Sequence, residues 1–195
     1  TATVLLERFE VDTLVFTGVA GGLGCGVRVG DVVVADGFVQ HDMDASPLFP
    51  RHEVPLYGRA RFEADADLGR QLAQASEQVL ANAALHLGAG TLAEFQLHGP
   101  RVHQGLILSG DRFVSTSAES HALRQALPEA LAVEMEGAAV AQVCHDYGVP
   151  FAAVRTISDR ADDTAHTDFQ RFIREVASRY SLAILSQWLT GRQPV

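Results

Sequence analysis

The chain contains no lysine; its 15 basic residues are all arginine. Chemistry that needs a side-chain amine is thereby excluded: Schiff bases, pyridoxal phosphate and the P-loop lysine. Cysteine is nearly absent too. Cys25 and Cys144 lie far apart in sequence, form no CxxC pair and suggest no disulfide framework, as expected of a reducing cytoplasm. No apolar run reaches the roughly 18 residues of a membrane helix, so no membrane partner is expected. Positive charge is scarce: 15 basic residues face 24 acidic ones, for a net charge of −9. Such a surface repels phosphate backbones and anionic lipid, so nucleic acid is not an expected partner either.

What is present is the material of one domain spanning residues 1–195, with 47% apolar residues. A chain of this length buries roughly 70% of its unfolded surface and needs no disulfide or metal to hold a core. Residues 3–9 read as the tail of a helix. Thr13–Thr17 is a short run with the pattern of a buried strand, ending in a glycine-rich loop over residues 18–26. A second strand runs from Val32 to about Gln40. Residues 41–60 carry Pro47, Pro50, Pro55 and Gly58 and read as an irregular loop. Asp65 caps a long helix to about His86. Further strands are expected at Gln104–Leu108, Ala130–Val133 and Pro150–Ile157. Helices are expected over Ser117–Leu127, from Glu136 to Tyr147, and from Asp168 to Leu189. The alternation predicts an α/β fold, a three-layer sandwich around a mixed, mostly parallel sheet.

Such sheets bind ligands beyond the carboxyl ends of their strands. Those ends carry Gly18–Gly22, Ser109–Phe113, Glu134–Glu136 and Ser158–Asp159. The glycine run contains neither G-x-G-x-x-G nor GK[ST]. It serves either a tight turn with positive φ or a bare backbone that a small ligand approaches closely. Glu134 and Glu136, one residue apart, are either decoration at a helix start or hydrogen-bond acceptors for a polyol. Asp159, just past a strand, is either a turn cap or a general acid. HExxH and G-x-S-x-G are absent, and the His41-Asp42 and Cys144-His145 pairs have no completing partner. No metal and no cofactor are expected.

Taken in order, these strand ends carry Thr17-Gly-Val-Ala-Gly-Gly-Leu23, Val29-Gly-Asp-Val-Val33, Ser109-Gly-Asp-Arg-Phe113, Val133-Glu-Met-Glu136 and Arg155-Thr-Ile-Ser-Asp159. The series resembles the nucleoside phosphorylase superfamily along essentially the whole chain, and within it the 5′-methylthioadenosine/S-adenosylhomocysteine nucleosidases. The resemblance implies roles. Phe113 stacks on the purine and the backbone of Val114 reads its edge. Glu134 and Met135 line the ribose, and Glu136 grips its hydroxyls. Asp159 protonates N7 of the leaving adenine, with Ser158 beside it, and Ala20 and Gly21 complete the substrate site. The phosphate-binding Arg and Ser or Thr of the phosphorylases are replaced by Phe16 and Val19, so water is the expected nucleophile. The alternatives are another purine-nucleoside hydrolase of the futalosine type, for which Arg51 and His52 in the loop speak, a phosphorylase, or a non-catalytic purine-binding module.

The resemblance also implies a homodimer, in which the loop from His41 to Gly58 places Leu48 and Pro55 over the partner's site, and a place in methionine salvage. Family members begin with a strand and a Gly-Ala-Met-Glu-Glu-like run whose Glu activates water, and that run is not found here. A piece of roughly 30 residues or more is therefore expected to be missing, and residues 1–195 alone are expected to be inactive or poorly active.

Overall fold

Strands and helices alternate along the chain in the computed structural model, which describes residues 1–161 and 169–191. The strands are β1 (Leu14–Gly22), β2 (Val32–Gln40), β3 (Arg61–Glu63), β4 (Val102–Ser109), β5 (Ala130–Glu134) and β6 (Phe151–Asp159). The helices are α1 (Ala2–Arg8), α2 (Ala66–Ala81), α3 (Ala83–Leu87), α4 (Ala89–Glu94), α5 (Ser117–Ala126) and α6 (Gly137–Tyr147). They are followed by α7 (Phe169–Phe172), a π-helical turn (Ile173–Ala177) and α8 (Ser178–Gly191).

The sheet is mixed and mostly parallel, in the order β3-β2-β4-β5-β1-β6. The pairs β1–β6, β2–β4 and β4–β5 are parallel. The sheet also curls back on itself, because Val32–Val34 of β2 pair antiparallel with Val154–Thr156 of β6. Its strands read as unbroken apolar runs because both faces are covered. Val32, Val34, Ala152 and Val154 turn to a core under α2 and α8, with Leu72, Val79, Tyr180 and Ile184. Their neighbours Val33, Ala35, Phe151 and Ala153 turn to a core under α6, with Ala138, Ala141 and Cys144. These three layers are the expected sandwich. Among the described residues no helix is long and apolar enough to cross a membrane.

Several boundaries differ from the sequence reading. β1 does not stop at Thr17 but continues through the glycines to Gly22, paired with β6 over Leu14–Gly21. Its first residues are only half-buried. The glycines of β1 have no positive φ; that conformation starts at Gly26, at φ 87°. They leave room for neighbouring side chains instead. A Cβ at Gly18 would lie 2.8 Å from Nη1 of Arg155, and one at Gly21 would lie 3.0 Å from Oδ1 of Asp159. The loop at 41–60 is followed by the short edge strand β3, which the sequence reading missed. The Asp65 cap is present, its carboxylate accepting from the Leu68 N–H at 2.9 Å. The helix it opens breaks at Asn82, short of His86, and α4 was not foreseen. The last helix contains the π-helical turn, where the Ser178 hydroxyl donates to the Ile173 carbonyl at 2.8 Å. Its expected start at Asp168 lies outside the described residues.

Candidate active site

The carboxyl ends of four strands converge on one open pocket of about 220 Å³. β1 contributes Val19, Ala20 and Gly21. The segment after β4 contributes Arg112, Phe113 and Val114; the turn from β5 into α6 contributes Val133, Glu134, Met135 and Glu136. β6 contributes Ser158 and Asp159, and α7 contributes Phe169. Every substrate-site and catalytic residue expected from the sequence therefore lines this cavity. Leu48 and Pro55 do not, and neither do Arg51 and His52.

Asp159 is buried and its orientation is fixed. The Ala161 N–H donates to Oδ1 at 2.7 Å, and the Ser158 hydroxyl donates to Oδ2 at 2.7 Å. A bulge puts it there. The register of β1 against β6 shifts between Ala20 and Gly21, so that Ala20 faces Ile157 and Gly21 faces Asp159. Ser158 is the extra residue, and such bulges re-aim side chains beside a site.

The wall opposite in kind is aromatic. Phe113 and Phe169 meet edge to face, with ring centroids 6.1 Å apart at 71°. Two rings set edge to face form an apolar corner, and a planar ligand can lie against the face of one of them. Arg112 stands beside them, mostly exposed, with Nη2 2.9 Å from the Glu119 carboxylate.

The two glutamates of the β5–α6 turn have different surroundings. Glu134 is buried and spent on the protein: it accepts from Ser109, from the Gly137 N–H and from Nη2 of Arg155 at 2.6 Å. Glu136 is exposed in the pocket, and its carboxylate has no hydrogen-bond partner among the described residues. Of the two, only Glu136 has acceptor capacity left for a ligand.

Arg155 was missed by sequence reasoning. It is 1% exposed, its guanidinium carbon lies 4.0 Å from the centroid of the Phe16 ring, and Nε and Nη1 find no partner among the described residues. The only signal was an arginine inside the apolar strand Phe151–Ile157, where a charge needs a buried counter-charge. In the sequence Phe169 stands only as part of the helix expected from Asp168 to Leu189, and Arg112 only as part of the run Ser109–Phe113. The long loop is anchored at its far end, where the Tyr57 hydroxyl donates to Asp146 at 2.8 Å and the Tyr57 ring packs edge-on against Phe62. Leu48, at 84% exposure, stands out into solvent. Among the described residues no three His, Cys, Asp or Glu side chains are grouped to hold a metal ion.

A family model described as the phosphorylase superfamily matches residues 1–187. The chain belongs to this superfamily. Its solved relatives include the 5′-methylthioadenosine/S-adenosylhomocysteine nucleosidase of Neisseria meningitidis in complex with methylthio-immucillin-A. That enzyme is 34% identical, with a TM-score of 0.78 over 97% of this chain and 74% of its own. The S-adenosylhomocysteine nucleosidase of Streptococcus pyogenes, in complex with 5-methylthiotubericidin, is 32% identical, with a TM-score of 0.77 over 100% of this chain and 73% of its own. A futalosine hydrolase of Helicobacter pylori is 29% identical, with a TM-score of 0.78 over 97% of this chain and 74% of its own. The expected kinship with the methylthioadenosine/S-adenosylhomocysteine nucleosidases is therefore borne out.

Proposed function

We propose that this pocket hydrolyses the N-glycosidic bond of 5′-methylthioadenosine or S-adenosylhomocysteine and releases adenine. The observation that carries the reading is the fixed carboxyl of Asp159 in one cavity with an unengaged Glu136 and the Phe113–Phe169 wall. The purine lies against Phe113, its edge at the backbone of Val114. Protonated Asp159 gives its proton to N7, the C1′–N9 bond breaks with its electrons going to the base, and a cationic ribosyl group remains. Water adds to C1′ and loses a proton. Ser158 and the Ala161 N–H keep the Asp159 carboxyl turned toward the base. Glu136 grips the ribose hydroxyls, and its negative charge favours the cationic sugar.

Water is preferred over phosphate on electrostatic grounds. Glu134, Glu136 and Asp159 line the cavity, and Val19 offers no donor where an anion would sit. The guanidinium of Arg155 is already paired with Glu134. Burying phosphate among carboxylates without partners of its own costs several kcal/mol. A larger 5′ group of the futalosine kind is the second reading, favoured by the likeness to the Helicobacter pylori hydrolase. The apolar Leu48 and Leu56, both prominent on the surface of the loop, support a homodimer in which the loop covers the partner's 5′ pocket with Leu48 and Pro55. A cytoplasmic place in methionine salvage follows from the same reading.

Asp159→Asn tests the acid. The rate of adenine release falls on the order of 10²–10⁴-fold, the usual contribution of a general acid. Binding of a 7-deaza nucleoside, which has no N7 to protonate, stays within a few-fold. An unchanged rate removes Asp159 from the mechanism.

A further inference from the structure

The first N–H groups of a helix have no partner within it, and the residue at the N-cap normally supplies one from its own side chain. At the start of α6 that residue is Glu136, with φ −134° and ψ −25°, and it makes no such bond. Two residues from outside the helix take its place. Glu134 accepts from the Glu136 N–H at 3.3 Å and from the Gly137 N–H at 2.9 and 3.0 Å through its two oxygens. The Ser109 hydroxyl oxygen, at the end of β4, accepts from the Ala138 N–H at 2.7 Å and donates its own proton to Glu134. Arg155, from β6, neutralises the assembly through Glu134.

We propose that Ser109 and Glu134 are positioning residues for the ribose site: they cap α6 from outside and so leave the Glu136 carboxylate free to hold the diol. The proposal rests on the nucleoside reading above. A carboxylate at a helix start is drawn to the helix's own N–H groups. With the Glu136, Gly137 and Ala138 N–H groups filled by Glu134 and Ser109, only the Ala139 N–H of the first turn is left to compete for Glu136 among the described residues. Ser109 touches no ligand in this scheme and acts through Glu134 and α6. Without its hydroxyl, the Ala138 N–H is left open and Glu134 loses a donor, so Glu136 turns inward to replace them. Base recognition at Phe113 is untouched.

The test compares binding of a 7-deaza 5′-methylthio nucleoside, which cannot be protonated at N7, with its 2′,3′-dideoxy counterpart, by calorimetry. In Ser109→Ala the preference for the diol falls roughly tenfold to a hundredfold, as for loss of a hydrogen bond to a charged group. Adenine itself binds as before, and the Gly137 and Ala138 amides exchange faster with solvent. Ser109→Thr keeps the hydroxyl and restores the preference. Should Ser109→Ala fail to fold, Ser109→Cys keeps the volume with a weaker donor and carries the same expectation. A Ser109→Ala or Ser109→Cys protein with undiminished diol preference overturns the proposal, and so does a parent protein with no diol preference. A parent that prefers the diol and loses it in Ser109→Ala, yet never releases adenine, upholds the proposal and defeats the hydrolytic reading instead.

Discussion

His41 and His52 lie together where β2 runs into the long loop. The His41 ring packs against Gly110, so closely that a Cβ there would sit 2.3 Å from Nε2. Burial lowers the pKa of His41 below the ordinary 6.5, with Asp42 pulling the other way and His52 and Arg51 reinforcing the shift. Burial and Arg51 lower that of His52 likewise. Both rings are therefore favoured neutral in the folded chain. An unfolded chain takes up these protons near pH 6.5, ahead of the folded one, so acid draws the equilibrium toward unfolding. The stabilisation is fully present above pH 6.5 and is lost as the pH falls below it. The melting temperature is expected to drop between about pH 7.5 and 5.5, and His41→Asn to flatten that slope relative to the parent. A slope that His41→Asn leaves unchanged assigns the titration elsewhere.

At the scale of elements, the start of α6 has little spare room. A Cβ at Gly137 would lie 2.4 Å from Cε1 of Phe38, a fully buried ring, and 3.1 Å from Oε1 of Glu134. Gly137→Ala is expected to destabilise the fold by roughly 1–3 kcal/mol, the range of overpacked core substitutions, seen as a lower midpoint in denaturant. A midpoint equal to the parent's shows that α6 has slack at its start. The same turn marks how far the sequence could be read. The apolar runs of β2, β4, β5 and β6, and the polar residues just past their ends, are local signals, and they mark Asp159, Glu136 and Phe113 as strand-end residues of an α/β sheet; that these ends meet in one pocket rests on the antiparallel β1–β5 pairing, which no local signal carries. The division of labour between Glu134 and Glu136 was not legible. Nothing in Val133-Glu-Met-Glu136 tells that Ser109 and Arg155, distant in sequence, converge on the first glutamate alone. The continuation of β1 through its glycines was hidden for the same reason, because its pairing with β6 and the bulk of Arg155 are long-range facts. Periodicity ran unbroken through Asn82 and through the π-helical turn at Ile173–Ala177, so neither interruption could be seen in the pattern.

At the scale of the molecule, β1 runs parallel to β6 and β2 to β4 and β5, and the antiparallel pairing of β1 with β5 at Gly21–Val133 brings the carboxyl ends of the two groups together, while β2 and β6 also pair antiparallel. The acidic balance of the whole chain, −9, is repeated inside the pocket, where among the described residues three carboxylates stand against a single lining arginine, itself bridged to Glu119. The central claim is that this end of the sheet cleaves a purine nucleoside with water. The most direct measurement is chromatography of the products after the protein is incubated with 5′-methylthioadenosine, with and without inorganic phosphate. The account predicts that the adenine released, fast or slow, is accompanied by free methylthioribose and appears at the same rate in both. Adenine released only with phosphate, accompanied by a sugar 1-phosphate, would contradict it.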